Sequence, residues 1–314
     1  MKKLFLFLAF LLAASCAQAQ VTQGQPEGPV STCSAGPVQY CNGVTYVLDE
    51  LSSYPPEALS VRELTGGQYQ RPYDMLVRRA SDNTTQNIGF ANGLINKTAL
   101  TSFCASTNCY VVTWYNQGSL GSAGDATQST AASQPQIVAN GVVETQNGVP
   151  TLSFGSASSA FARMTLSGPT TLAYSAFSVI QKLSSSQEGT VLAGYTPLFT
   201  QFLRINASSN PLVNFGADNT SSSSVTNTSL FLYDNISSGM GVTPYQNGAA
   251  LNAISLTSQT PGAVNLIGTY DSSKNEMFGN ISEVILFTSA VSVSDKAVLD
   301  FNRAAFYGIS GVTQ

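Results

Sequence analysis

From Gln136 onward the sequence breaks into short runs of β-formers separated by tight-turn dipeptides, and this rhythm constrains the fold more than any other feature. The runs are Gln136–Val143, Thr151–Phe154, Ala162–Leu166, Ala176–Leu183, Thr190–Gly194, Phe199–Ile205, Leu212–Phe215, Leu230–Tyr233, Val242–Tyr245, Ala263–Ile267 and Ser282–Phe287. Asn140-Gly141, Asn147-Gly148, Gly168-Pro169 and Asn247-Gly248 fall at or between them, the dipeptides that supply positive φ or fixed φ at hairpin turns. So many short strands with hairpin signals predict an all-β, two-sheet sandwich. Sandwiches of this kind exceed 200 residues as one unit, so residues 33–314 are expected to form a single domain.

The earlier part of the chain is organised around Phe103–Gln117. Cys104 and Cys109 are close enough to close a small loop, worth about 2 kcal/mol on the chain-entropy estimate. The run Tyr110–Tyr115 then alternates, with Val111, Thr113 and Tyr115 on one face and Tyr110, Val112 and Trp114 on the other. Upstream, Pro55–Tyr69 reads as a short helix stopped by Gly66-Gly67, Tyr73–Arg79 as a strand and Lys97–Cys104 as a second short helix. At the C-terminus a helix is expected, capped by Ser294 and ended by Gly308, with Val298, Phe301 and Ala305 on its apolar face.

Composition removes several functions. The chain has no histidine, which excludes Ser-His-Asp and Cys-His mechanisms and every His-ligated metal site. Acidic residues show no Ca²⁺-loop spacing, so neither a metal nor another cofactor is expected. A net charge of −4 without a basic run gives no reason to expect nucleic acid. Lys2, Lys3, the apolar run Leu4–Ala14 and Ala17-Gln18-Ala19 read as a secretory signal peptide over residues 1–19, followed by a flexible stretch at 20–32. Lipoprotein processing at Cys16 is the alternative, and no later segment qualifies as a transmembrane span.

Export fits the cysteines. Cys33, Cys41, Cys104 and Cys109 allow three pairings, of which Cys33–Cys41 and Cys104–Cys109 are the economical choice. Seven N-x-S/T sequons, at Asn83, Asn96, Asn206, Asn219, Asn227, Asn235 and Asn280, make a secreted or surface glycoprotein the expectation, although their number is close to chance.

Phe103–Cys109 resembles the disulfide segment of the catalytic domain of fungal α-L-arabinofuranosidase B. Arg79-Ala80-Ser81-Asp82-Asn83-Thr84-Thr85 is similar to that family's Arg-Gly-Ser-Asp-Asp-Thr-Thr turn, and Tyr115-Asn116-Gln117 with Asp125-Ala126-Thr127-Gln128 to its Tyr-Asp-Gln-Ser-Gly-Asn-Gly…Thr-Gln run. Cys33–Cys41 resembles its N-terminal disulfide. The resemblance implies a concanavalin-A-like jelly roll, of which Gly279–Phe287 and the following helix are the closing elements. The family's C-terminal arabinose-binding module has no counterpart here.

The resemblance also places the family's acid/base on Asp271, within Leu266–Ser273. A retaining glycosidase needs a second carboxyl group about 5–5.5 Å away. The matching region, Arg204–Leu212, has serine where the family's glutamate nucleophile stands, and no Asp or Glu occurs from Gly189 to Ala217. The family's adjacent-cysteine pair is missing, and Asn116 replaces an aspartate. Glu188, Glu276 and Glu283 remain as substitutes without a motif. Glycan binding needs only an aromatic platform and planar polar groups, for which Trp114, Tyr115, Asn116, Gln117, Tyr195 and Tyr270 are the expected set. The sequence therefore points to a secreted protein with polysaccharide or glycan as partner. An α-L-arabinofuranosidase using Asp271 and a purely structural surface protein are the alternatives.

Overall fold

A computed structural model of the chain describes residues 46–155, 162–170, 175–194, 200–215, 217–226, 228–238, 241–256, 264–269 and 277–313. Cys16, Cys33, Cys41 and the signal segment lie outside them, as do Tyr195, Asn227, Tyr270, Asp271 and Glu276.

Among the described residues every strand pair is antiparallel. Apart from the small hairpins Phe90–Ala91 with Leu94–Ile95 and Thr145–Gln146 with Val149–Pro150, the main strands form two runs. The shorter run passes from Glu57–Ser60 to Gly279–Phe287, then Ser175–Lys182, Phe231–Ser238 and Gly241–Gln246. The longer begins at Thr85–Ile88 and passes through Met75–Arg79, Cys109–Trp114, Ala126–Thr127, Met164–Thr170, Val264–Ile267, Gly189–Gly194, Thr200–Ile205 and Pro211–Phe215 to Asp218–Thr220. Gln136–Ala139 and Leu152–Ser153 tie the two together, through Gln136 to Tyr110 and Leu152 to Ile281. The result is the expected two-sheet sandwich of jelly-roll type.

One core fills the sandwich, with Val77, Val111, Trp114 and Phe202 from the long run meeting Val179, Ile180, Leu232 and Val284 from the short one. A second cluster, including Leu48, Ala58, Phe177, Ile285, Phe287 and Leu299, covers the opposite face of the short run. Gly279–Phe287 is therefore buried at every position. Its second half, Val284–Phe287, is accordingly an unbroken apolar run, as a strand covered on both faces has no solvent side to alternate with, while Asn280, Ser282 and Glu283 are buried with hydrogen-bond partners.

Pro55–Tyr69 is not helical. Glu57–Ser60 is a strand paired with Glu283–Leu286, and all four of its residues are buried. Ala, Leu and Glu give the segment helical composition, but pairing with the closing strand buries both of its faces and overrides that weak preference. The expected strand over Gln136–Val143 is two strands, because Asn140 and Gly141, both at positive φ, turn the chain between Ala139 and Val142.

The helix Lys97–Phe103 is present, capped by Asn96, whose Oδ1 accepts from the Ala99 amide at 3.0 Å. The C-terminal helix runs Val293–Tyr307 and ends at Gly308 with φ 64°, but Ser292, not Ser294, caps it. Ser292 is the extended residue whose Oγ accepts from the Asp295 amide at 3.0 Å. Its packed face also differs from the expected one: Val298 and Phe301 are half-buried and Ala305 is exposed. Leu299, Asn302, Arg303 and Tyr307 face the sheet instead. The sheet offers the carboxylates of Asp234 and Glu283 there, so a charged helix face complements it.

Candidate functional site

Within Cys109–Trp114 simple alternation fails. Leu76 pairs with Thr113 and Val77 with Val111, leaving Val112 as an extra residue, a β-bulge. The bulge shifts the pleat by one, so Val111 and Trp114 both enter the core while Tyr110 and Tyr115 remain outside.

This corrects half of the expected glycan-binding set. Trp114, Asn116 and Gln117 are buried and offer no surface to a glycan. Asn116 Oδ1 accepts from the amides of Ala58 at 2.7 Å and Gly118 at 2.9 Å. Gln117 Oε1 accepts from the Leu64 amide at 2.7 Å, and its Nε2 donates to the Arg62 carbonyl at 2.9 Å. Both side chains fasten the 56–64 segment to the sandwich. Tyr115 is half-buried, with the Arg71 guanidinium 5.2 Å from its ring centre and its hydroxyl donating to Asn87.

The surface suited to a ligand is built from residues that local pattern does not single out. Arg78 pairs with Tyr110, Tyr110 with Gln136, Gln136 with Ser153, Ser153 with Asn280 and Asn280 with Gln181. Directly paired residues point to the same face of a sheet. One cross-strand row of polar and aromatic side chains therefore crosses six strands on the outer face. Val77, Val111, Ile137, Leu152, Ile281 and Ile180, each a chain neighbour of a row member, lie in the core.

Part of this row floors an open groove of about 600 Å³, lined among others by Arg78, Tyr110, Gln134, Gln136, Ser153 and Leu183. The Arg78 guanidinium lies 5.2 Å from the Tyr110 ring centre, and its Nε donates to Gln134 Oε1 at 2.8 Å. Gln134 Nε2 in turn donates to the Gln128 carbonyl at 2.8 Å. Gln128 lines a neighbouring hollow of about 340 Å³ together with Val112, Thr113, Thr127, Ser129 and Thr165. Among the described residues lining either hollow there is no carboxylate. Amides, hydroxyls, a guanidinium and an aromatic ring can hydrogen-bond and stack, but none of them can supply the carboxyl pair that glycoside hydrolysis requires.

The carboxylates lie elsewhere. Glu188 is paired with Arg204, and Glu283 is fully buried against Arg62. The segment expected to hold a nucleophile is a tight turn, where Asn206 Oδ1 accepts from the amides of Ser208 and Asn210 at 3.0 and 2.9 Å. Asp125 binds Arg71 and the Asn116 amide, and burial raises its carboxyl against both contacts. Among the described residues no group of acids or cysteines is placed to hold a metal ion.

Cys104 and Cys109 are bridged. Of the sequons, Asn83 is exposed, while Asn96, Asn206 and Asn219 are half-buried. Asn235 and Asn280 are buried within strands, Asn235 donating to the Phe202 carbonyl and Asn280 to Gln181. Neither can carry a glycan in the folded protein. No described helix is long and apolar enough to cross a membrane.

Residues 59–157 match the family described as alpha-L-arabinofuranosidase B, catalytic. No curated protein matches by sequence. Among solved structures, a GH54 α-L-arabinofuranosidase soaked with a cyclic sulfate inhibitor aligns at a TM-score of 0.55 and 13% identity, over 81% of this chain and 63% of that one. An arabinofuranosidase complexed with arabinofuranosyl-α-1,2-xylobiose aligns at 0.54 and 12%, over 83% and 64%. The chain thus spans less than two thirds of either protein, and at such identity the likeness is one of fold. By that fold, and by the sequence of residues 59–157, the chain resembles the catalytic domain of α-L-arabinofuranosidase B.

Proposed function

We propose that this chain is an exported glycan-binding β-sandwich that has the arabinofuranosidase B scaffold without its hydrolytic machinery. The observation that carries the reading is the cross-strand row Arg78, Tyr110, Gln136, Ser153, Asn280 and Gln181, the first four of which floor a groove with no carboxylate among its described lining residues. Planar amides hydrogen-bond to sugar hydroxyls, and the half-buried Tyr110 ring offers a face to a sugar ring. The serine that replaces the family's glutamate supports the same conclusion. Affinity electrophoresis through gels containing arabinan or arabinoxylan tests it. Wild type is retarded, and Tyr110→Ala lowers the affinity about tenfold, equivalent to about 1.4 kcal/mol. Absence of retardation in every polysaccharide gel favours a purely structural surface protein.

A hydrolytic reading has one observation in its favour. Met277 bridges to Gly189, so the segment that carries Asp271 rejoins the sheet beside Glu188. An enzyme using these two acids loses activity in Asp271→Asn and in Glu188→Gln alike.

A further inference from the structure

We propose that the groove selects an acidic polysaccharide, bearing carboxylate or sulfate groups, and that Arg78 and Arg163 receive the charge; this rests on the groove being the glycan site. The argument comes from how the chain places its arginines. Arg62, Arg71, Arg79, Arg204 and Arg303 are each ion-paired, with Glu283, Asp125, Asp82, Glu188 and Asp234 respectively. In a chain of net charge −4 such pairing is the expected fate of a guanidinium. Arg78 and Arg163 have no ion pair among the described residues.

Arg78 lines the groove, and Arg163 adjoins one of its lining residues in the chain. Arg78 is half-buried in its lining and donates only to neutral acceptors: Gln134 Oε1 at 2.8 Å, Asn83 Oδ1 at 2.9 Å and the Ala131 carbonyl at 3.4 Å. Those contacts orient the guanidinium and leave its charge in place. Arg163 follows Ala162, which lines the groove, and precedes Met164, which is in the core. Its amide donates to the Ser133 carbonyl at 2.9 Å, and its own carbonyl accepts from Gln128 at 3.1 Å. Its backbone therefore stands between Ser133, beside the groove, and Gln128, which lines the neighbouring hollow. An unneutralised guanidinium in the groove lining, with a second carried one residue beyond that lining at Arg163, attracts an anion, and arginine's planar fork matches a carboxylate or sulfate. A neutral glycan uses neither charge.

The experiment is affinity electrophoresis of full-length wild type, Arg78→Gln, Arg163→Gln, the double variant and Arg78→Lys. The gels contain polygalacturonate, dextran sulfate or debranched arabinan, each at low and high salt. Thermal melts of each variant establish that it is folded. The expected result is at least tenfold tighter binding of wild type to one or both acidic polymers than to arabinan, weakened by salt. Each glutamine variant loses about fivefold or more on the acidic polymer alone, and Arg78→Lys retains part of the affinity. Retardation by polygalacturonate only identifies uronate as the preferred group, and by dextran sulfate only, sulfate. Binding to arabinan that equals or exceeds binding to the acidic polymers, unchanged in the glutamine variants, overturns the inference and leaves the groove reading standing. Binding to no polymer at all overturns both.

Discussion

Arg62 and Glu283, distant in sequence and both fully buried, meet through two hydrogen bonds, Nε to Oε2 at 2.8 Å and Nη2 to Oε1 at 3.2 Å. Ser60 Oγ adds a third contact to Glu283 Oε2 at 2.8 Å, and the Tyr307 hydroxyl a fourth at 3.2 Å. This group joins the N-terminal strand, the closing strand and the C-terminal helix. Glu283→Gln leaves the Arg62 charge buried without its counter-ion and is expected to cost about 3–5 kcal/mol. Replacing both residues with apolar side chains of similar volume costs less. Burial by itself would raise the Glu283 carboxyl, but Arg62 outweighs it and holds the group below the ordinary range. The pair's contribution is therefore complete above the unfolded carboxyl value and is lost as pH falls through the folded one. Chemical denaturation between neutral and acidic pH, on wild type and both variants, checks the order and the slope.

Asp74 is a buried carboxyl that receives no hydrogen bond of good geometry. Burial raises it well above the ordinary value, and the nearby Trp114 indole offsets this only in part. The folded state thus holds a proton that the unfolded chain releases above roughly pH 4. Stability from this site is complete below that pH and declines as pH rises towards the folded value. Asp74→Asn removes the decline. A Tm higher than wild type by about 2 °C or more at pH 7, converging with it near pH 4, is the expected outcome.

Lys182 behaves in the opposite sense. Burial lowers its ammonium to about 8, with Glu188 pulling it back up. Between that value and the unfolded one near 10.4, the unfolded chain binds the proton and the folded chain does not, so stability rises with pH across the window. Below it the buried charge costs on the order of 3 kcal/mol at most, from about 1.4 kcal/mol per unit. Lys182→Met is expected to stabilise the protein at pH 7 and to flatten its denaturation profile from pH 8 to 10.

The disulfide and the groove are separable. Cys104–Cys109 closes a short loop just before Tyr110, and replacing both cysteines with alanine is expected to lower stability by about 2 kcal/mol. Tyr110 is held independently by its pairing with Arg78 and Gln136. Glycan affinity measured well below the melting transition is therefore unchanged, while Tm falls.

What the sequence made legible was local. Gly308 as a stop, the short cysteine pair and the Asn-Gly hairpins each depend on neighbours within a few residues, and the structure has them in those roles. Glu57–Ser60 carries no local strand signal because its partner, Glu283–Leu286, lies more than 200 residues away. Alternation alone puts Trp114 on the same face as Tyr110 because nothing in the run marks Val112 as the bulge. The groove is invisible in the sequence for the same reason: Arg78, Tyr110, Gln136 and Ser153 become neighbours only when four strands pair in register.

The proposed protein is a sugar-binding scaffold without hydrolysis. This is tested most directly by the turnover of an aryl α-L-arabinofuranoside by purified wild type, Asp271→Asn and Glu188→Gln under conditions where polysaccharide binding is observed. The expected result is binding with no turnover above that of either variant. Turnover by wild type that disappears in Asp271→Asn would contradict it.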